Sequence, residues 1–212
     1  MTQQDQDEGG IRPCGMADSA DILAIINVAA EAYRDVIPTD RWHEPYMARE
    51  ELAAGLTDGV KFCGYVVRDR LIGVMGMQRR HDVDLIRHAY VLPEWQAHGI
   101  GSRLLRHLCR DAERPILIGT WAAAEWAIRF YERHGFARVS EDSIGPLLRT
   151  YWNVPERQVA TSVVLACPPI VNDAVDRLIG GAKTGARRLR GLNPALRPKA
   201  GRIPAPAQGA GS

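Results

Sequence analysis

The chain has 212 residues, a formal net charge of +2 and a hydrophobic fraction of 46%. This length suits one domain of about 150 residues with short flanks, and such a domain can bury a full core without disulfide or metal cross-links. No apolar stretch approaches the roughly 20 residues of a membrane span, and the acidic, polar N-terminus is unlike a secretory signal, so we expect a cytoplasmic protein without membrane contact.

Charge and composition divide the chain into three parts. Residues 168–212 carry eight basic and two acidic side chains, a net charge of +6, and are rich in Gly, Ala and Pro. This predicts a basic, largely disordered tail with a short helix near Ile170–Ile179. The tail lacks aromatic residues for base stacking, which argues against nucleic acid as a partner. We expect residues 1–10 to form a disordered acidic segment and 11–167 to form the folded domain.

The cysteines give no sign of a metal site. Cys14, Cys63, Cys109 and Cys167 are far apart, with no C-x-x-C pair and no histidine at a spacing typical of zinc. We expect four unpaired thiols and no metal.

Two helices are predicted in the first quarter of the chain. Asp21–Tyr33 has apolar residues on one side at helical spacing, and Met47–Leu56 is followed by a turn signal. The connection between them, Arg34–Met47, is long and rich in Trp, Tyr, His and charged residues. Such a composition favours a binding element, although a surface loop anchored by Trp42 and Tyr46 stays a possible interpretation.

Three strands follow. Val60–Arg68 and Leu71–Arg79 alternate on either side of a short turn and predict a hairpin, and Val83–Val91 is the next strand. Regular alternation along this third strand places Leu85, Arg87 and Ala89 on one face and Asp84, Ile86, His88 and Tyr90 on the other.

After the third strand the chain reads Q-x-x-G-x-G, from Gln96 to Gly101, and continues into an amphipathic helix. A helix start leaves several backbone N–H groups without partners and carries partial positive charge. Gly99 and Gly101 have no Cβ, so a phosphate can approach the main chain. The spacing fits neither a P-loop nor the dinucleotide motif G-x-G-x-x-G. These residues alone are consistent with a phosphate site or with an ordinary strand-to-helix turn.

The last third of the domain repeats the strand-and-helix pattern. Ile116–Ile118 is a short apolar run typical of a buried strand, and Ala123–His134 has helical spacing. Gly135 stands where a left-handed residue usually ends a helix. A short strand at Ala137–Ser140, a polar loop and a final strand at Gln158–Ala166 complete the prediction.

Two blocks in this order resemble the GNAT N-acetyltransferases, which transfer acetyl from acetyl-coenzyme A to an amine. V-x-P-x-x-Q-x-x-G-I-G-S-x-L-L, from Val91 to Leu105, is similar to the pyrophosphate motif of that family, and A-x-x-F-Y-E-x-x-G-F, from Ala127 to Phe136, to its closing motif. Ile11–Ile22 resembles the opening strand and first helix start. The element order is then β-α-α-β-β-β-α-β-α-β-β, which predicts a GNAT-like mixed α/β fold with a central β-sheet and helices on both faces.

The resemblance implies acetyl-coenzyme A as cosubstrate. Backbone N–H groups of Gln96–Ser102 would hold its pyrophosphate, and main-chain groups beside a splay in the sheet would hold the pantetheine arm and polarise the thioester carbonyl. Where the family commonly has an asparagine that binds the coenzyme arm, this chain has alanine. The implied coenzyme-contacting residues are Val91, Leu92, Gln96, Ala97, His98, Gly99, Ile100, Gly101, Ser102, Ala124 and Tyr131.

The same resemblance implies catalytic roles. Tyr131 occupies the position that often protonates the departing thiolate, although the residues alone are also consistent with a core aromatic side chain. A neutral His88 could take the proton of the amine, or could be a packed histidine. Asp82 and Asp84 are near enough in sequence to serve instead, so the base is unassigned.

In the family the connection between the first two helices lies over the acceptor site. Arg87 cannot act as a base but could orient a carboxylate of the substrate. The candidate substrate-binding residues are therefore Tyr33, Trp42, His43, Glu44 and Arg87.

The sequence thus predicts an acetyl-coenzyme A-dependent N-acetyltransferase that acts on a primary amine, of a small molecule, by direct transfer in a ternary complex. Neither motif contains a cysteine, which argues against an acyl-enzyme. Two alternatives are a non-catalytic acyl-coenzyme A-binding or sensor module, suggested by Ala124 and the unassigned base, and a protein-modifying acetyltransferase recruited through the basic tail. A homodimer through the last strand and the helices is a further expectation.

Overall fold

The computed structural model describes residues 9–152, 154–171 and 173–181. Its strands are β1 (Gly10–Cys14), β2 (Val60–Val67), β3 (Arg70–Arg80), β4 (Val83–Val91), β5 (Ile116–Trp121), β6 (Ala137–Arg138) and β7 (Ser162–Cys167). Its helices are α1 (Ser19–Ala30), α2 (Arg49–Thr57), α3 (Ile100–Cys109), α4 (Glu125–Glu132), α5 (Glu141–Tyr151), α6 (Glu156–Val159) and α7 (173–181).

The strands form one sheet in the order β1-β2-β3-β4-β5-β7-β6. Every neighbouring pair is antiparallel except β4 and β5, which run parallel because α3 crosses over between them. The helices flank this sheet, so the predicted mixed α/β fold is confirmed.

The parallel pair is short. β4 and β5 are paired only from Asp84 opposite Ile116 to Ile86 opposite Ile118. Beyond these residues the C-terminal ends of both strands continue without pairing to each other, so the sheet splays there. The predicted splay is therefore present, and it opens beside the start of α3.

The core explains why the helices form where the periodicity predicts. Ile22, Ile25 and Ile26 of α1 and Leu104 and Leu105 of α3 are buried in one large apolar cluster with the sheet. A smaller cluster joins β4, β5 and β7 to α5. Apolar residues at helical spacing are thus the ones that pack against strands.

The prediction of a polar loop after Ser140 was wrong, because the segment contains α5. Pro146 lies inside that helix, and a proline preceded by glycine signals a break. Leu147, Leu148 and Tyr151 are nevertheless buried in the smaller cluster. Burial of this apolar face outweighs the backbone hydrogen bond that the proline removes.

The predicted alternation along β4 was also wrong beyond Arg87. His88 has a left-handed φ of +53°. The ladder to β3 shifts register here: Arg87 pairs with Gly76 and Tyr90 with Val74, so Met75 faces two residues of β4. Such a bulge breaks the two-residue period and re-aims the side chains after it.

The C-terminal part of the described chain is helical. The helix predicted near Ile170–Ile179 is confirmed as α7, where Val175 is buried against the smaller cluster. The folded part therefore continues past residue 167, and β1 already begins at Gly10. Most of the predicted acidic N-terminal segment and the rest of the basic tail, 1–8 and 182–212, lie outside the described residues.

Three findings concern the described residues only. None of their helices has the length and apolar character needed to cross a bilayer. No group of three or more His, Cys, Asp or Glu side chains is placed to bind a metal ion. The four cysteines are unpaired.

Candidate active site

A cavity of about 490 Å³ opens between the C-terminal end of β4, the start of α3 and the length of α4. We call it the α3 cleft. All predicted coenzyme-contacting residues line it except Leu92, His98 and Ala124. The Q-x-x-G-x-G segment therefore faces a cavity rather than the core.

The start of α3 has the geometry of an anion site. Gly99 has φ +75° and precedes the helix, and the first intrahelical bond runs from the Arg103 N–H to the Gly99 carbonyl at 3.0 Å. The N–H groups of Ile100, Gly101 and Ser102 consequently have no acceptor within the helix. The first turn contains no acidic residue, so the partial positive charge of the helix start is not neutralised there.

Gln96 has a structural role in this turn. Its side-chain Nε2 donates to the Val91 carbonyl at 3.0 Å and ties the turn to the end of β4. His98 is exposed, with its Nδ1 2.7 Å from the Gln96 carbonyl oxygen. The shape of the turn is thus stabilised by hydrogen bonds within the segment from Val91 to His98.

Two of the predicted coenzyme-contacting residues are buried and form backbone hydrogen bonds within the protein. The Leu92 N–H donates to the Ile72 carbonyl at 2.9 Å, and the side chain is buried. Ala124 is fully buried and its carbonyl accepts the Ala127 N–H at the start of α4. Neither residue lines the α3 cleft.

Sequence reasoning missed the apolar wall of this cleft. Met75, Trp126 and Phe130 line it, and Trp126 is 40% exposed despite its size. Trp126 and Phe130 are four residues apart on α4 and adjoin Tyr131. Their i, i+4 spacing on the predicted helix could have indicated that these two aromatic residues share one face of it.

A second cavity of about 520 Å³ lies between the α1–α2 connection, the splayed strand ends and the α5–α6 segment. We call it the loop cleft. Of the predicted acceptor-site residues, Tyr33, His43 and Arg87 line it, and so does His88. Leu148 and Trp152 also line it, and prediction missed them because the α5 segment was expected to be a loop. Gln158, which was predicted to begin the final strand, lies in α6 and lines the cleft as well.

Trp42 and Glu44 are placed elsewhere. Glu44 accepts a hydrogen bond from Arg34 at 2.5 Å, and the Trp42 Nε1 lies 3.4 Å from the same carboxylate. The Arg34 guanidinium lies over the Trp42 ring, 4.8 Å from its centroid. These two residues stabilise the connection and do not line the loop cleft.

Tyr33, Ala89, Tyr90 and Tyr131 line both clefts. The two cavities therefore meet at the splay between β4 and β5, with Tyr131 of α4 beside the junction. One cleft has the N-terminus of α3 at one end and an apolar wall, and the other has ionisable side chains. This arrangement suits two ligands whose reactive ends meet.

Comparison with known proteins agrees with this geometry. Residues 60–138 match the family model described as the acetyltransferase (GNAT) domain. This match spans the turn before α3, α3 itself and α4, so that part of the chain is similar to the GNAT acetyltransferase domain. No curated protein sequence matches the chain.

Solved GNAT structures share the fold. An acetyltransferase of the GNAT family from Staphylococcus aureus is similar with a TM-score of 0.57 at 16% identity, over 75% of this chain and 98% of that one. PaiA N-acetyltransferase from Thermoplasma acidophilum, solved with coenzyme A, gives 0.56 at 14% identity over 75% and 98%. The Escherichia coli ribosomal-protein-S18-alanine N-acetyltransferase gives 0.52 at 15% identity over 75% and 92%.

Three phenols at the junction differ in their surroundings. Tyr33 has Thr120, and Tyr90 has Tyr46, as a neighbouring polar side chain. The Tyr131 hydroxyl has no hydrogen-bond partner among the described residues. Burial raises the pKa of all three, that of Tyr33 to about 12, so each phenol stays protonated at neutral pH.

The histidine at the bulge in β4 has an unusual environment. His88 stacks on Phe62, with ring centroids 5.7 Å apart. Burial, together with the neighbouring Arg87 charge, lowers the pKa of His88 to about 3. The imidazole is neutral at pH 7 but a weak proton acceptor.

Asp82 and Asp84, the alternative bases, do not line either cleft. Asp82 accepts a hydrogen bond from Tyr151, and Asp84 pairs with Arg79.

The environment of His88 predicts acid sensitivity. The unfolded chain, with a histidine pKa near 6.5, binds one more proton than the folded state as the pH falls from 6.5 towards 3, so stability is lost across that window. We expect the free energy of unfolding to fall by about 2 kcal/mol between pH 7 and pH 5 through His88. Guanidinium unfolding of the wild type and of His88→Asn at both pH values measures this, because asparagine tolerates the positive φ. His43→Asn, at an exposed histidine, is the control. If His88→Asn and the wild type lost equal stability between pH 7 and pH 5, the lowered pKa of His88 would be contradicted.

Proposed function

We propose that the protein is an acetyl-coenzyme A-dependent N-acetyltransferase that transfers acetyl to a primary amine of a small molecule by direct transfer in a ternary complex. The observation that carries this proposal is the meeting of the two clefts at Tyr131. A coenzyme in the α3 cleft and an amine in the loop cleft would approach each other only at this junction. The match of residues 60–138 to the GNAT family model supports the acetyltransferase class.

The α3 cleft fits acetyl-coenzyme A. A Cβ at Gly101 would stand in the cleft, 3.5 Å from the Phe130 ring, so its absence leaves the main chain accessible. We propose that the N–H groups of Ile100, Gly101 and Ser102 bind the pyrophosphate. Val91 and the apolar wall would contact the pantetheine arm. When bound, the coenzyme supplies the activated acetyl group as a thioester.

The chain's own residues would complete the transfer. The C–N bond forms as the amine attacks the thioester carbonyl, and the C–S bond breaks. We propose that Tyr131 donates its phenolic proton to the departing sulfur. A phenol with a raised pKa would be a poor match for an ordinary thiol, but burial also raises thiol pKa values in this domain, that of Cys109 to about 11. The same desolvation would raise the proton affinity of a thiolate held at the junction.

We propose that the amine enters the loop cleft in its neutral form and loses its proton to solvent after the C–N bond has formed, without His88 acting as the base. A histidine with a pKa of about 3 is a much weaker base than an alkylamine, whose pKa resembles that of lysine at about 10. His88 instead supports the bulge and the wall of the cleft. The proton that leaves the amine then replaces, through solvent, the one that Tyr131 gives up.

Calorimetric titration with acetyl-coenzyme A, followed by a thiol-release assay with a panel of primary amines, tests the proposal. We expect micromolar binding and thiol release that depends on an amine. Binding without acetylation of any amine or protein would favour the non-catalytic acyl-coenzyme A-binding module, for which the alanine at position 124 is the motivating observation. Absence of binding to a folded protein would contradict the proposal.

A further inference from the structure

The loop cleft contains two arginines, and neither forms an ion pair within the described part of the chain. Arg41 comes from the α1–α2 connection and Arg87 from β4. Glu51 of α2 is the only carboxylate among the cleft residues that the structure describes. With the histidines counted as neutral, the formal charge of the cleft is therefore +1.

Arg87 is oriented by a neutral partner. Its Nη1 donates to the Gln78 Oε1 at 2.8 Å, and Gln78 is fully buried. Gln78 is in turn fixed by its Nε2, which donates to the carbonyl and carboxylate of Asp58 at 2.8 and 3.0 Å. The Asp58 carboxylate is already paired with Arg80. The guanidinium of Arg87 is thus held in place without a counterion of its own.

Arg41 has an unsatisfied donor. Its Nε is buried, with no hydrogen-bond partner among the described residues. The adjacent acid, Asp40, pairs instead with Arg157 of α6, at 3.2 Å. A buried donor without an acceptor is costly, and native structures normally satisfy it.

Three exposed arginines outside the cleft have carboxylate partners. Arg34, Arg149 and Arg157 each pair with a carboxylate at 2.5 to 3.2 Å. Exposed pairs of this kind contribute little to stability, whereas a buried donor gains more from a partner. Arg41 and Arg87 face the loop cleft, and no carboxylate pairs with either of them within the described part of the chain.

We infer that the acceptor amine carries a carboxylate, which Arg41 and Arg87 bind in the loop cleft. This rests on the proposed function and names its substrate class. The planar guanidinium presents paired N–H donors that match two carboxylate oxygens. The two guanidinium groups suit a carboxylate, and Glu51 in the same cleft opposes the larger charge of a phosphate dianion.

Matched acceptors test this inference. The assay pairs the standard amino acids and β-alanine with their primary amides, which keep the amine and lose the anion. Phosphoethanolamine is added as the phosphate-bearing amine. We expect the carboxylate-bearing member of at least one pair to have a kcat/KM about tenfold or more above that of its amide. Saturation-transfer NMR on the coenzyme A-loaded protein measures acceptor binding without relying on turnover.

Arginine variants identify the binding residues. In Arg41→Met we expect the KM for the preferred acceptor to rise about tenfold or more, while the KM for acetyl-coenzyme A is unchanged. Arg87→Lys keeps the charge but loses the paired donors, and should raise the acceptor KM as well. The control is Arg110→Met, at an exposed arginine directly after α3 that pairs with Asp111.

The possible outcomes separate the two proposals. Equal use and equal binding of acids and amides, preference for phosphoethanolamine, or an unchanged acceptor KM in both cleft variants would overturn the carboxylate inference while the acetyltransferase stands. If coenzyme A binds but no amine is acetylated, the proposed function fails. The NMR arm then still decides whether the cleft selects carboxylates, and loss of that binding in Arg41→Met supports the inference.

Discussion

Replacing Gly101 with glutamate should abolish acetyl-coenzyme A binding and leave the fold intact. The new carboxylate would stand where the α3 N–H groups are proposed to hold the pyrophosphate. Repulsion between charges about 4 Å apart near a protein surface is about 4 kcal/mol, so we expect Kd to rise more than 100-fold. Titration calorimetry measures the loss.

The fold should tolerate this change for two reasons. A Cβ at Gly101 meets the Phe130 ring at 3.5 Å, an ordinary contact. Glutamate is also a better helix former than glycine, and an acidic residue in the first turn suits the helix dipole. Gly99 is a less informative site, because its φ of +75° strains any other residue.

Two control variants isolate the effect of charge at the site. Gly101→Gln has similar bulk without the charge, and should weaken binding much less. Gly15→Glu adds the same charge in open space away from the cleft, and should bind normally. If Gly101→Glu kept wild-type affinity with an unchanged Tm, the pyrophosphate site would be in the wrong place.

Local signals explain why so much of the α3 cleft was predictable. The Q-x-x-G-x-G turn and the helix after it are determined by residues adjacent in sequence: Gln96 bonds back to Val91, and Gly99 supplies the left-handed step. Apolar residues of α3 at helical spacing then bury against the sheet. Such features depend little on the rest of the chain, so they can be predicted from the local sequence.

The bulge and α5 depend on distant parts of the chain. His88 takes a left-handed conformation because β4 has one residue more than β3 between the paired positions on either side of it. A histidine does not require a positive φ, so nothing at this position of the sequence predicts the bulge. Pro146 favours a break, yet α5 forms because β7 and β5 offer an apolar surface. Both cases are tertiary packing that overrides a local preference.

The loop cleft was the least predictable part for the same reason. Arg41, Arg87 and Trp152 come from three segments that meet only once the sheet, the connection and α5 are packed together. Composition predicted that the connection is a binding element, but it also favoured Trp42 and Glu44 as binding residues. Glu44 instead accepts a hydrogen bond from Arg34, and the Trp42 ring packs against the Arg34 guanidinium. Polarity predicts that a segment contacts ligand; it does not predict which of its side chains pair with each other.

Replacing Tyr131 with phenylalanine should lower kcat about 100-fold or more, the usual contribution of a positioned acid, with little change in the Kd for acetyl-coenzyme A. Three phenols line both clefts, and Tyr131 differs from the other two in its surroundings. Tyr33 and Tyr90 have Thr120 and Tyr46 as neighbouring polar side chains, whereas the Tyr131 hydroxyl has no hydrogen-bond partner among the described residues and is available to a ligand. Its ring packs between Phe130 and Phe136, at 5.0 and 5.8 Å, and phenylalanine keeps these contacts.

Pre-steady-state thiol release and calorimetry, carried out on the same preparations, separate the two effects of Tyr131→Phe. Tyr65→Phe is the control, because it removes a hydroxyl that bonds to Arg103 at 2.6 Å and lies outside both clefts; its kcat should be unchanged. Since burial raises the pKa of Tyr131, we also expect the wild-type kcat not to decline with pH up to about 10. A Tyr131→Phe variant with normal kcat would remove the acid from the mechanism. If Tyr90→Phe lost a large part of kcat instead, Tyr90 of β4 would be the general acid, because both tyrosines line the same junction.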